Sequence, residues 1–176
     1  MKTYKLLLCT MLVFLTLSTS KVLAQSGDQI LDGIGETGLI ARYVFNGDAK
    51  DLSRNNLHGE IHGDGFQFVD DTKFGKVLSL SEKGKNYIEL PKGTVANEES
   101  ISITGWLYLT SSNANQYFFD FGESNKAHFF VAPTGTKEND GLVAEITTAK
   151  GAMYQTLSSG VKVNEWNHVA VTINIP

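Results

Sequence analysis

Apolar residues in this chain recur at every second position. Ile101, Ile103, Gly105, Leu107 and Leu109 alternate with Ser102, Thr104, Trp106 and Tyr108, the pattern of a strand with one face buried. Leu39, Ala41, Tyr43 and Phe45 share one face of an earlier predicted strand, and residues 166–173 alternate again. Residues 116–121 and 128–131 predict aromatic-rich strands, and residues 142–147 a β-branched one. Clusters of turn formers separate these runs, among them Asn46-Gly47-Asp48, Arg54-Asn55-Asn56, Ser111-Ser112-Asn113 and Asn139-Asp140-Gly141. No segment of ten or more residues carries a convincing helical period. Short strands with turn signals between them predict an all-β fold, a two-sheet antiparallel sandwich or jelly roll.

Ahead of this pattern the chain opens on a different one. Lys2 and Lys5 precede an apolar run over residues 6–17, and Val22-Leu23-Ala24 supplies a cleavage site with Gln25 as the new N-terminus. This predicts a secretory signal peptide over residues 1–24, too short and wrongly flanked to span a membrane. Cys9 lies inside the apolar run, whereas a lipid-attachment Cys would close it. Residues 25–37 read as a polar, Gly-rich lead-in, and the β domain is expected over residues 38–176. The full chain has 176 residues, a formal charge of −4 and one Cys. Lys2, Lys5, Lys21 and Cys9 leave with the leader and no acid does, so the exported chain carries −7 and no disulfide. So acidic a surface is a poor partner for nucleic acid or anionic lipid, and no nucleic-acid partner is expected. An exported domain without disulfides depends on its core, and about 150 residues suffice to build one. Periplasm, cell surface and extracellular space are all open to it.

Four blocks then carry a resemblance. Tyr43-Val44-Phe45-Asn46-Gly47-Asp48-Ala49-Lys50-Asp51, followed by Asn55-Asn56-Leu57-His58-Gly59, is the first. Phe74-Gly75-Lys76-Val77-Leu78-Ser79-Leu80, leading to Tyr87-Ile88-Glu89-Leu90-Pro91, is the second. Ile101-Ser102-Ile103-Thr104-Gly105-Trp106-Leu107 and Trp166-Asn167-His168-Val169-Ala170-Val171-Thr172 complete the set in order. Together they resemble bacterial laminin-G-like (concanavalin A-like) jelly-roll domains. The resemblance implies two packed antiparallel sheets in a secreted accessory module, often beside a glycoside hydrolase or on a cell-surface protein. It also implies further strands after the Trp166 block, so the chain is expected to be a piece of a longer product lacking its last strands. A bare sheet edge would otherwise remain.

Candidate chemistry is sparse. Enzymes on this fold that cleave β-glucans carry Glu-x-Asp-x-x-Glu on a strand, because glycosidases need two carboxylates flanking one bond. The motif does not occur. Glu98 and Glu99 are adjacent and would face opposite sides of a strand, and Asp70-Asp71 reads as a turn. Gly33-Ile34-Gly35-Glu36-Thr37-Gly38 fits G-x-G-x-x-G but follows a polar leader and opens a strand, the wrong context for a pyrophosphate site. His58, Glu60 and His62 alternate as zinc ligands on a strand would, with no fourth ligand; a polar strand face near a turn is the plainer reading. His128 and His168 read as structural, and no Ser/His/Asp or Cys/His nucleophile signature is present.

Two sites remain. Calcium takes six to eight oxygens, and Asn46, Asp48, Asp51, Ser53 and Asn56 cluster in one Gly-containing loop. The resemblance implies a structural Ca2+ near this loop, with Asp48 and Asp51 as the carboxylate ligands. Asx turns without any metal are the alternative reading. For a polysaccharide or other glycan, Trp106, Tyr108, Tyr117 and Tyr154 are the candidate stacking aromatics, near Asn113, Asn115 and Gln116. Against this, Trp106 and Trp166 also read as cover for a core edge. The expected function is a secreted, non-catalytic, carbohydrate-binding module. The alternatives are an accessory part of a glycoside hydrolase whose catalytic domain lies outside this chain, and a protein-binding adhesion module.

Overall fold

A computed structural model describes residues 36–124, 127–137 and 141–174. The expected signal peptide, Cys9 and the lead-in up to residue 35 lie outside the described residues. Ten strands and no helix occur among the described residues, and every strand pair is antiparallel. The chain divides into two compact units, the first ending at Thr94 and the second beginning at Val95.

In the first unit β1 (Glu60–His62) pairs with β4 (Tyr87–Glu89), and β2 (Phe66–Asp71) with β3 (Gly75–Leu80). The expected strand over residues 39–45 does not form. The carbonyls of Leu39 and Ile40 accept the Asn55 amide, Ile40 also accepts the Ser53 hydroxyl, and Arg42 gives its N–H to Asp51. Side chains thus take the backbone groups a ladder would need, and Phe45, at φ 55°, ends the extended path. Tyr43 keeps a single bridge, to Asp51. Asp70 and Asp71, expected in a turn, finish β2. Lys76 stands opposite Asp70 and pairs with it at 3.0 Å, while Asp71 Oδ1 caps the N–H groups of Lys73 and Phe74 in the turn that follows. His62 lies 3.0 Å from Glu89 and 3.9 Å from Glu60 and stacks on Tyr87, while His58 accepts the Asp51 N–H instead, so the three alternating residues do not form one site.

In the second unit β5 (Ser100–Tyr108) pairs with β10 (Trp166–Asn174), and β6 (Phe119–Ser124), β7 (Ala127–Ala132), β8 (Leu142–Thr147) and β9 (Met153–Ser158) form a four-stranded meander. The alternation in β5 turns Ile101, Ile103 and Leu107 inward, where the two sheets meet: Val131, Ala144 and Val169 are buried against Leu107, Phe118, Leu142 and Val171. Gly105 sits on this inner face because the Phe118 ring occupies the space, and a Cβ there would come within 2.8 Å of it. The meander's other face buries Phe130, Ala132 and Val143. Strand β9 is exposed at all six positions and pairs only with β8, so its own sequence carries no buried face to announce it.

Candidate functional site

The acidic loop comes first. Asp51 is 4% exposed, and its carboxylate is fully engaged by the protein. Oδ1 accepts the N–H of Arg42 and of Ser53, both at 2.8 Å; Oδ2 accepts the Ser53 hydroxyl at 2.7 Å and the Leu57 N–H at 2.9 Å. Burial pushes the carboxyl pKa up, but these four bonds outweigh it and hold it below the ordinary value of 3.8. The backbone N–H of Asp51 itself is accepted by His58 Nδ1 at 3.1 Å, and Tyr43 donates its hydroxyl to the Leu57 carbonyl. Burial, and then the Asp51 charge, raise the Tyr43 phenol above 10.0. Asp48, by contrast, is turned outward to the N–H and ammonium of its neighbour Lys50.

Asp51 does not fit a calcium ligand. Each of its oxygens already accepts two hydrogen bonds, so as folded the roughly four acceptor sites of the carboxylate are all taken by the protein. Among the described residues no group of three or more His, Cys, Asp or Glu side chains is placed to hold a metal ion.

The four candidate aromatics separate. Trp106 and Tyr108 are neighbours on the outer face of β5, 48% and 44% exposed. Strand β10 completes the patch: His168 stands opposite Trp106 with ring centroids 5.0 Å apart, and Trp166 stands opposite Tyr108 at 5.6 Å, edge to face. The loop before β10 aims Trp166. Asn164, at φ 61°, gives its N–H to the Leu109 carbonyl, and the Asn167 amide clips the carbonyls of Lys162 and Glu165. Along the rest of the same face Thr104 bonds His168 Nε2 at 2.8 Å, Ser102 bonds Thr172 at 2.8 Å, and Ser100 donates to Asn174 at 3.0 Å. The sequence placed Trp166 as cover for a core edge and His168 as structural, and neither among the candidate stacking residues. The signal that could have found them is their register: in an antiparallel pair the aromatics at alternating positions of both strands share a face.

Tyr117 and Tyr154 belong to the other sheet. Tyr117 precedes β6 and packs edge to face on Phe130, its hydroxyl 3.5 Å from Asn115. Tyr154 stands on the edge strand β9 opposite Ile146, 64% exposed. The Gln116 amide donates to the carbonyls of Ser111 and Asn113 and so serves the loop itself. A second polar group lies on the meander, where Glu145 receives the Thr147 hydroxyl and the Gln155 amide, both at 3.4 Å, with His128 at 3.5 Å. The register neighbours of Glu145 are Phe130 and Gln155, and Asp120 stands on the same face one strand beyond Phe130.

No helix among the described residues is long and apolar enough to cross a membrane. None of the curated proteins matches the chain. Among solved structures, the crystal structure of the binding domain of Paraclostridial Mosquitocidal Protein 1 is similar in fold, with a TM-score of 0.53 at 19% identity. The match covers 71% of this chain and 33% of that one, so this chain spans about a third of its length. The family model of the laminin-G-like group, described as the concanavalin A-like lectin/glucanases superfamily, matches residues 82–175. That stretch takes in β4 to β10, including both strands of the aromatic face, and it is more than half of the chain: the protein belongs to the concanavalin A-like lectin/glucanases superfamily.

Proposed function

We propose that the protein is an exported carbohydrate-binding module whose ligand sits on the outer face of β5 and β10. The observation that carries this reading is the cluster of Trp106, Tyr108, Trp166 and His168, two of its rings nearly half exposed at the end of an antiparallel ladder. A pyranose ring has an apolar face of C–H groups and a rim of hydroxyls. Exposed aromatic rings supply the apolar complement, and partners with both donor and acceptor capacity supply the rim. Thr104 and His168 stand beside the rings with that capacity. Superfamily membership is in keeping with the reading, and the exported part of it rests on the signal peptide expected over residues 1–24.

Affinity electrophoresis through gels cast with single polysaccharides tests it. The full chain should be retarded by at least one neutral polysaccharide, and Trp106→Ala should weaken that retention about tenfold or more, equivalent to about 1.4 kcal/mol. Free migration of the wild-type protein in every gel of a panel of glucans, mannans, xylans and galactans would rule the reading out.

A further inference from the structure

The aromatic cluster is one end of a longer feature. Ten side chains of β5 and β10 share the outer face, and none is Asp, Glu, Lys or Arg. In a chain with 15 basic and 19 acidic residues, this strip carries no ionic charge. It is also long: the eight steps of about 3.4 Å between the nine residues of each strand make a face roughly 27 Å from end to end. Its polar members pair across the ladder, Ser100 with Asn174, Ser102 with Thr172, and Thr104 with His168. A hydroxyl has one donor and two acceptor sites. After one cross-strand bond each of these groups still presents hydrogen-bonding capacity outward, with no ionic charge.

We infer that this strip binds an extended, uncharged glycan laid along the strands, its terminal rings on Trp106 and Tyr108 and its following units over the Ser/Thr ladder. The inference rests on the carbohydrate reading and adds the ligand's charge, shape and direction. An acidic polysaccharide would find no basic side chain on the strip to offset desolvation of its carboxylates. A short sugar would engage only the aromatic end. Sugar hydroxyls, each both donor and acceptor, match a ladder of hydroxyls of the same kind.

Titration calorimetry on the full chain tests this, using the disaccharide and hexasaccharide of β-1,4-glucose, β-1,3-glucose, β-1,4-mannose and β-1,4-xylose, with polygalacturonate as the acidic probe. At least one hexasaccharide should bind tenfold or more tighter than its disaccharide, and polygalacturonate should not bind. The paired substitutions Ser102→Glu and Thr172→Glu should remove most of the hexasaccharide advantage and leave the disaccharide unchanged. Because two opposed carboxylates can disturb the ladder, Ser102→Ala with Thr172→Ala is the second variant, expected to lose several-fold in hexasaccharide affinity with an unchanged circular dichroism spectrum. Equal affinity for disaccharide and hexasaccharide, or full hexasaccharide binding by the alanine pair, would overturn the strip while leaving an aromatic site intact if Trp106→Ala still weakens binding about tenfold or more. Preference for polygalacturonate would overturn the neutral ligand. Failure of every probe, together with free migration in every polysaccharide gel, would remove the carbohydrate reading itself.

Discussion

Around Asp51 a buried carboxylate and hydroxyl, a half-buried phenol and the exposed His58 imidazole satisfy one another and the backbone. On the outer face of β5 and β10 hydroxyls, an imidazole and three large rings meet in register, and the rings and hydroxyls keep their outward sides. The two regions hold comparable chemistry, and residue type alone would mark the acidic loop as the better binding site. What separates them is who takes the hydrogen bonds. Asp51 spends both oxygens on Arg42, Ser53 and Leu57, so it fixes the loop and has little left for a ligand. Ser102 and Thr172 spend one bond on each other across the ladder and have capacity to spare. A cross-strand pair braces a binding surface without consuming it, whereas a backbone-capping carboxylate is consumed by its task.

The strongest way to break this contrast is to remove the carboxylate. Asp51→Ala strands three buried or half-buried N–H groups and the Ser53 hydroxyl, and unpaired buried donors cost more than the bonds they replaced. The expected loss is about 3 kcal/mol, read as a lower urea midpoint for the change in far-ultraviolet circular dichroism and as faster amide exchange at Arg42, Ser53 and Leu57. Asp51→Asn keeps one acceptor oxygen and should lose roughly half as much. If Asp51→Ala unfolds at the wild-type midpoint, the loop is held by something other than this carboxylate, and the distinction from the β5–β10 face collapses.

Much of this arrangement was legible in the sequence, and where it was not the reasons are local. Alternation located β5 and β10 almost to the residue, because each buries one face, and β-branched residues located β8, which is buried or half-buried throughout. It failed for β9, whose Met153, Tyr154 and Leu157 are all exposed, and for residues 39–45, where correct alternation was overridden by side chains of residues 51–55 that claimed the backbone. Trp106 and Tyr108 were identifiable as one face by their spacing of two. Their partners Trp166 and His168 sit some sixty residues away, and only the pairing of β5 with β10 reveals them. Tyr117 and Tyr154 show the converse error, aromatic type taken for shared location. For Asp51 the loop composition was read correctly as polar and turn-rich, but composition does not say whether oxygens face inward or outward.

Acid provides a gentler probe of the same contrast. The folded-state value of Asp51 lies below its ordinary 3.8, so its contribution is fully present above that ordinary value. The contribution is lost as pH falls through the lower folded value, where the native carboxylate at last takes a proton. The urea midpoint should therefore drop through this acid range by less than Asp51→Ala costs at neutral pH, since a protonated carboxyl still accepts some of its bonds. Asp51→Asn should show a flatter acid limb, and because it retains every other titrating group, the difference between the two curves isolates Asp51. Tyr43 bounds the other side: its raised phenol is neutral in the native state, so its part is intact below 10.0 and is lost as pH climbs past that value toward the higher folded one. Identical acid limbs for the wild-type chain and Asp51→Asn would mean that the four bonds do not favour the ionised form.

The smallest expected effect is that of calcium on the loop. A ligand that binds only the folded state stabilises it by about 2.7 kcal/mol at a hundredfold excess over its dissociation constant, an effect far above the scatter of a melting curve. Because N–H and O–H donors already occupy both oxygens of Asp51, millimolar calcium after treatment with a chelator should leave the thermal midpoint unchanged in the wild-type protein. A rise that persists in Asp51→Asn would place an ion elsewhere and leave the contrast untouched. A rise that vanishes in Asp51→Asn would mean that the carboxylate gives up backbone donors for the metal, and the loop would then be a binding site held closed by its own N–H groups.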